Sequence, residues 1–97
     1  MRNDARTMLR FELAVNIHRL LGKRRGEVIA MLESCGIPAR DVPRETAIWR
    51  EGPVVHLERF VRHEGDGPIL VNDDGTGARV EPLSITPDRI PEWIPMD

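Results

Sequence analysis

Apolar positions in the first third of the chain recur at steps of three and four. Leu9, Leu13, Ile17, Leu20 and Leu21 form one such stripe, which predicts a helix over about 4–21. Asp4 suits its N-cap, and Gly22 the left-handed position after its last turn. A second stripe, Met8, Phe11 and Val15, continued by His18, falls on nearly the opposite side. A surface helix needs one stripe, so two predict cover on two sides: burial between a second helix and a sheet, or an interface with a partner. The polar run Gly22-Lys23-Arg24-Arg25-Gly26 reads as a short connection. A second helix is predicted from near Arg25 to Cys35, with Val28, Leu32 and Cys35 facing inward and Met31 beside them. Gly36-Ile37-Pro38 is a strong stop: Gly takes the left-handed geometry, Ile37 folds back on the last turn, and Pro38 blocks continuation. Two helices joined so closely predict an αα-hairpin over 1–38.

From Thr46 the period changes to two. Residues 46–50 predict a short strand, closed by the turn residues Glu51-Gly52-Pro53. Residues 54–63 fit a strand with Val55, Leu57 and Val61 on one face and His56, Glu58, Phe60 and Arg62 on the other. They also fit a helix that starts at Pro53, with Val54, Leu57, Phe60 and Val61 as its stripe. The turn-rich flanks and the short length favour the strand. Loop signals at 64–68 and 72–77 flank Ile69-Leu70-Val71, and 79–85 is the last strand, with Pro82 marking an edge position or a bulge. The proline-rich tail, 87–97, is expected to be extended and pinned by Ile90, Trp93 and Ile94. The expected fold is α+β: one domain over 1–97, an N-terminal αα-hairpin followed by a three- to four-stranded antiparallel β-meander over 46–86.

Composition narrows the class without naming a function. The chain has 97 residues, 40% hydrophobic and 31% charged, which is ordinary for a small globular domain. Aromatic residues make up only 4%, so Leu, Ile, Val and Met must fill the core. The single cysteine, Cys35, excludes an internal disulfide and multi-cysteine metal sites, and it suits a reducing cytoplasm. No apolar run reaches the roughly 20 residues of a membrane-spanning helix, and the N-terminus lacks the apolar core of a signal peptide. Charge is distributed unevenly. Residues 1–25 carry seven basic side chains against two acidic ones, and residues 26–97 carry seven against fourteen, so a net charge of −2 conceals a basic end and an acidic end. That asymmetry points to a binding surface.

The candidate chemistry is sparse. Arg19, Lys23, Arg24 and Arg25 surround the predicted turn between the helices, and a helix–turn–helix could offer them to phosphates. Against this stand the missing third helix, a pI near 5.9, and the favourable interaction of arginines with a helix C-terminus. His56 and His63, seven residues apart on a strand, fall on opposite faces and do not share a metal. Asn72-Asp73-Asp74-Gly75 faintly resembles a calcium loop, but Leu70 stands where the first carboxylate belongs, and a tight turn is the simpler reading. Cys35 sits at a helix C-terminus, where the dipole disfavours a thiolate. Ser34 and Ser84 lack a nucleophile-elbow setting, and no glycine-rich phosphate loop is present. No catalytic constellation and no cofactor are therefore expected.

The runs Val28-Ile29-Ala30-Met31-Leu32 to Gly36-Ile37-Pro38, Leu57-Glu58-Arg59-Phe60-Val61-Arg62, Asp66-Gly67 and Val80-Glu81-Pro82-Leu83 resemble small proteins encoded by phages of actinobacteria, over residues 28–83. The resemblance implies a context, a small viral protein expressed in the cytoplasm of a host cell, and a strand at 54–63. It carries no activity. Thirteen arginines against one lysine fit that context. The expected function is a non-enzymatic interaction protein binding a host or phage protein, or itself, through Met8, Phe11, Val15 and His18, bordered by Arg19. The alternative is nucleic-acid binding through Arg19, Lys23, Arg24 and Arg25.

Overall fold

The computed structural model describes residues 13–96. Its sheet is antiparallel, built from β1 (Val15–Asn16), β2 (Ala47–Glu51), β3 (Val54–Phe60) and β4 (Val80–Ile85) in the spatial order β1-β2-β3-β4. Alternation along β3 decides its orientation. Val55 and Leu57 are buried, while His56 and Glu58 point to the other face. Cross-strand partners share a face, so the pairs Leu57↔Leu83 and Val55↔Ile85 extend the apolar surface onto β4. Ile48 of β2 completes it, at 0% exposure. The segment 54–63 is thus a strand through Phe60. Gly52, with φ +56°, provides the positive φ needed at the first position of the two-residue turn between β2 and β3.

The single helix among the described residues, α1 (Gly22–Ser34), buries Val28, Met31 and Leu32 in this core. Cys35 and Ile37 pack against the same cluster. The helix stops as the glycine predicts. Gly36 has φ +77°, the Ile37 N–H donates to the Leu32 carbonyl at 2.9 Å, and the Gly36 N–H donates to the Glu33 carbonyl at 3.0 Å. This double bond pattern satisfies carbonyls that the helix end would otherwise leave open.

The described residues do not support the expected αα-hairpin. Residues 1–12 lie outside the described span, but the last part of the predicted first helix does not hold. Val15 and Asn16 pair with Ile48 and Ala47 as β1, and Ile17–Arg19 is a 3₁₀ turn capped by the Asn16 side chain, whose Oδ1 accepts from the His18 N–H at 2.8 Å. Strand pairing therefore overrides a locally helical apolar pattern. The leucine stripe is split accordingly: Ile17 and Leu20 are buried, whereas Leu21 is 75% exposed. Gly22, Lys23, Arg24 and Arg25 form the first turn of α1 instead of a connection between helices.

The tail is pinned as its apolar residues predict. Ile94 is 1% exposed, and Ile90 and Trp93 pack against the core. β1 covers only one end of the outer edge of β2, and the tail continues from there: the Arg50 N–H donates to the Pro95 carbonyl at 2.8 Å. Pro82 lies within β4, whose outer side has no further strand among the described residues. Thr46, buried at 1% exposure, links three segments. Its carbonyl accepts from the Ile17 N–H, and its hydroxyl accepts from the Glu58 N–H at 3.0 Å and donates to the Ala47 carbonyl at 3.3 Å.

The Asn72–Gly77 loop is a hydrogen-bonded turn. Asn72 Oδ1 accepts from the N–H groups of Thr76 and Gly77, while Asp74 Oδ1 accepts from the Thr76 hydroxyl at 2.7 Å and the Thr76 N–H at 3.1 Å. Those two bonds, the hydroxyl first, hold the Asp74 carboxyl below the usual aspartate range.

Two outcomes follow. Thr46→Val keeps the shape but leaves the Glu58 N–H without an acceptor, at a cost of about 1–3 kcal/mol; urea unfolding should show a lower midpoint with an unchanged slope. NMR titration of the Asp74 carboxyl should give a midpoint below that of free aspartate, and Thr76→Val should return it towards the ordinary value. Because the folded value is the lower one, this contribution to stability is complete above the ordinary aspartate pKa and disappears as pH falls through the folded one.

Candidate functional site

After α1 the chain returns along the helix flank as a second 3₁₀ turn, Ala39–Asp41, followed by Val42, Pro43 and Arg44. Two contacts hold this segment in place. Val42 is buried in the core, and Asp41 Oδ1 accepts from Arg62 Nε at 2.9 Å in a half-buried ion pair. Arg62 Nη1 also donates to the Gly67 carbonyl at 3.2 Å, so the arginine is tethered from two sides. Between the segment and α1 lies a cleft of about 410 Å³. Ile17, Val28, Leu32 and Val42 contribute its apolar lining, with Ile29 and Phe60 beside them. Its charged lining residues are Arg25, Arg40 and Arg44, and no acidic residue is among the described ones that line it.

The ion pairs sharpen that asymmetry. Arg59, Arg62 and Arg79 each have a carboxylate partner, Glu81, Asp41 and Asp73 respectively. Arg25, Arg40 and Arg44 have none among the described residues. The Arg25 guanidinium instead donates from Nη2 to the carbonyls of His18 (3.1 Å) and Leu20 (3.3 Å), and its Nε is buried without an acceptor. The adjoining start of α1 adds to the positive potential. Lys23, Arg24 and Arg25 stand in the first turn, no acidic residue does, and the N-cap Leu21 has no capping side chain. The helix dipole already places partial positive charge there, so basic residues are electrostatically unfavourable until an anion approaches. An apolar lining with guanidinium groups that have no carboxylate partner among the described residues is suited to a ligand that joins carboxylates to apolar groups.

A second arrangement lies on the sheet face turned away from the core. Trp49, His56 and Ser84 form a row across β2, β3 and β4, because Trp49↔His56 and His56↔Ser84 are direct cross-strand partners. His56 Nδ1 lies 3.0 Å from Ser84 Oγ, and His56 Nε2 lies 2.9 Å from Glu51 Oε1. The imidazole stacks on Trp49, with ring centroids 5.4 Å apart and an interplanar angle of 25°.

The residues expected to bind a partner are dispersed. Met8 and Phe11 lie outside the described residues. Val15 is half-buried in β1 and packs against the core, while His18 and Arg19 are exposed in the 3₁₀ turn, so Val15 and His18 do not share a helical stripe. Arg19, Lys23, Arg24 and Arg25 do lie close along the chain, but around the start of a helix, not the end of one. There the helix dipole opposes these cations, whereas at a C-terminus it would stabilise them. Arg24 stands over the Trp93 ring, 5.5 Å from its centroid.

Arg40 and Arg44 lie between the predicted second helix and the first strand, where the only local signal is their nearness to Pro38 and Pro43 in a chain rich in arginine. His56 and Ser84 are brought together by the strand register alone. Cys35 is half-buried against the core. Among the described residues no group of three His, Cys, Asp or Glu side chains could hold a metal ion, and no helix is long and apolar enough to cross a membrane. Comparison with family models, with curated protein sequences and with solved structures gives no match, so the functional reading stands on this geometry.

Proposed function

We propose that the chain is a small interaction module, phage-encoded and expressed in a bacterial cytoplasm, that takes an acidic, apolar-anchored segment of a host or phage protein in the cleft between α1 and residues 39–44. One observation carries this reading: Arg25, Arg40 and Arg44 line an apolar cleft without a carboxylate partner among the described residues, while Arg59, Arg62 and Arg79 are ion-paired. A buried apolar anchor would supply most of the affinity, and charge-assisted bonds to the arginines would set orientation and choice of partner. The resemblance to small phage proteins supports the context, and the arginine bias agrees with it.

The second reading, nucleic-acid binding through Arg19, Lys23, Arg24 and Arg25, is favoured by the basic, acid-free first turn of α1. It engages phosphates and has no use for the apolar lining.

A synthetic peptide alternating Glu and Leu, with a Lys–Leu counterpart, separates these readings. The acidic peptide should bind and shift the amide signals of Ile29, residues 39–42 and Arg44. Arg40→Glu combined with Arg44→Glu should weaken it by about tenfold or more, the equivalent of roughly 1.4 kcal/mol. Equal binding of the two peptides, or unchanged affinity in the double variant, would sink the cleft reading. For the second reading, duplex DNA should bind with an affinity that falls steeply with salt and is lost in Lys23→Glu/Arg24→Glu. No binding to the duplex at low salt ends it.

A further inference from the structure

The Glu51–His56–Ser84 row shares no residue with the cleft lining, and its hydrogen bonding has a direction. A carboxylate only accepts, so the His56 nitrogen facing Glu51, Nε2, carries a proton. In the neutral ring this leaves the Nδ1 lone pair free to accept the Ser84 hydroxyl. The chain of donors thus runs from Ser84 Oγ to His56 to Glu51. Stacking on Trp49 fixes the plane of the ring between them.

The backbone adds a second feature. The Glu58 N–H donates towards β2, to Thr46 Oγ1, and Pro82 opposite Glu58 has no N–H. Glu58↔Pro82 is therefore a non-hydrogen-bonded pair, and the antiparallel ladder alternates, so His56↔Ser84, two positions along, is one as well. In such pairs the side chains stand closest, and the N–H and C=O point away from the partner strand. The Ser84 N–H consequently faces the outer edge of β4, beside its own exposed hydroxyl. A hydroxyl hydrogen-bonded to an oriented imidazole, with an outward N–H on the same residue, provides a nucleophile, a general base and one oxyanion donor.

We propose that Ser84 is the nucleophile of an acyl-transfer site, with His56 as general base and Glu51 as a positioning residue, acting on small unhindered esters at the edge of β4. Ser84 Oγ bonds to the ester carbonyl carbon as its proton passes to His56 Nδ1. The carbonyl oxygen gathers negative charge against the Ser84 N–H. The carbon–alkoxy bond then breaks, and the leaving oxygen takes the proton from His56, so an alcohol departs and the acyl group remains on Ser84. Water attacks the acyl-serine, gives its proton to His56 and from there to Ser84 Oγ, and the carboxylic acid leaves. No oxidant, metal or further reactant is required. This departs from the expectation that the chain holds no catalytic group, because the grouping depends on a strand register and not on a motif.

The test uses the full chain with p-nitrophenyl acetate, following p-nitrophenolate release and mapping the acetylated residue by mass spectrometry. Acetyl should be found on Ser84, and release should fall on the order of 100-fold in Ser84→Ala, the lower end of what general-base catalysis contributes. His56→Gln should show a similar loss. Ser84→Ala removes only an exposed hydroxyl, so its circular dichroism should match the parent and keep the comparison valid if the histidine variant unfolds. For Glu51, the ¹⁵N shifts of the His56 ring should report the proton on Nε2 in the parent and a shift towards the other tautomer in Glu51→Gln, with slower acetylation. Acetylation confined to Lys23 or the N-terminus, or release unchanged in a folded Ser84→Ala, overturns the nucleophile. An unchanged tautomer in Glu51→Gln overturns the positioning role.

Discussion

One short helix has to close one face of a four-stranded sheet, and the described domain is organised around that demand. α1 contributes only Val28, Met31 and Leu32 as buried residues, fewer than the Ile48, Val55, Leu57, Leu83 and Ile85 surface they help to cover. The difference is made up by irregular segments. Ile17 and Leu20 come from the 3₁₀ turn before the helix, Val42 from the segment after it, and Ile94 from the tail. In a domain of this size each such residue carries a large share of the core, because little surface can be buried in total. Thr46 makes the arrangement specific, since its carbonyl and hydroxyl bind the N-terminal turn and β3 to the same point.

The cleft is a consequence of that organisation. Loops cover less completely than helices, and where the Ala39–Asp41 turn meets the flank of α1 an apolar hollow is left beside the sheet. The Asp41–Arg62 pair holds this wall and engages the carboxylate that follows Arg40 in the chain. The outer face of the sheet is organised by register, with cross-strand neighbours that share no sequence proximity.

Much of the architecture was legible in the chain. The alternation at 54–60, the Gly36-Ile37-Pro38 stop and the apolar residues of the tail each carry a local physical signal, and each has its structural counterpart. β1 was illegible for the opposite reason. Leu13, Ile17 and Leu20 have helical spacing, yet Val15 and Asn16 find backbone partners about thirty residues away, and pairing at that distance leaves no local mark. That misreading moved the start of α1 by about one turn, which turned a supposed helix C-terminus into an N-terminus and inverted the electrostatic meaning of Lys23, Arg24 and Arg25. Of the candidate sites, the basic cluster was visible as composition, whereas Arg40 and Arg44 acquire a role only when α1 lies beside them. His56 and Ser84 stand 28 residues apart and meet through β3 and β4 alone.

The position of Ile94 also constrains how the molecule comes into being. By the time Ile85 has been made, all four strands and the helix exist, yet the centre of the core still lacks a side chain that ends up 1% exposed. The bond from Arg50 to the Pro95 carbonyl, which continues the cover on β2, is missing as well. A chain cut after β4 would hold all four strands and the helix around a core still open to water, so the presence of every regular element does not by itself close this interior.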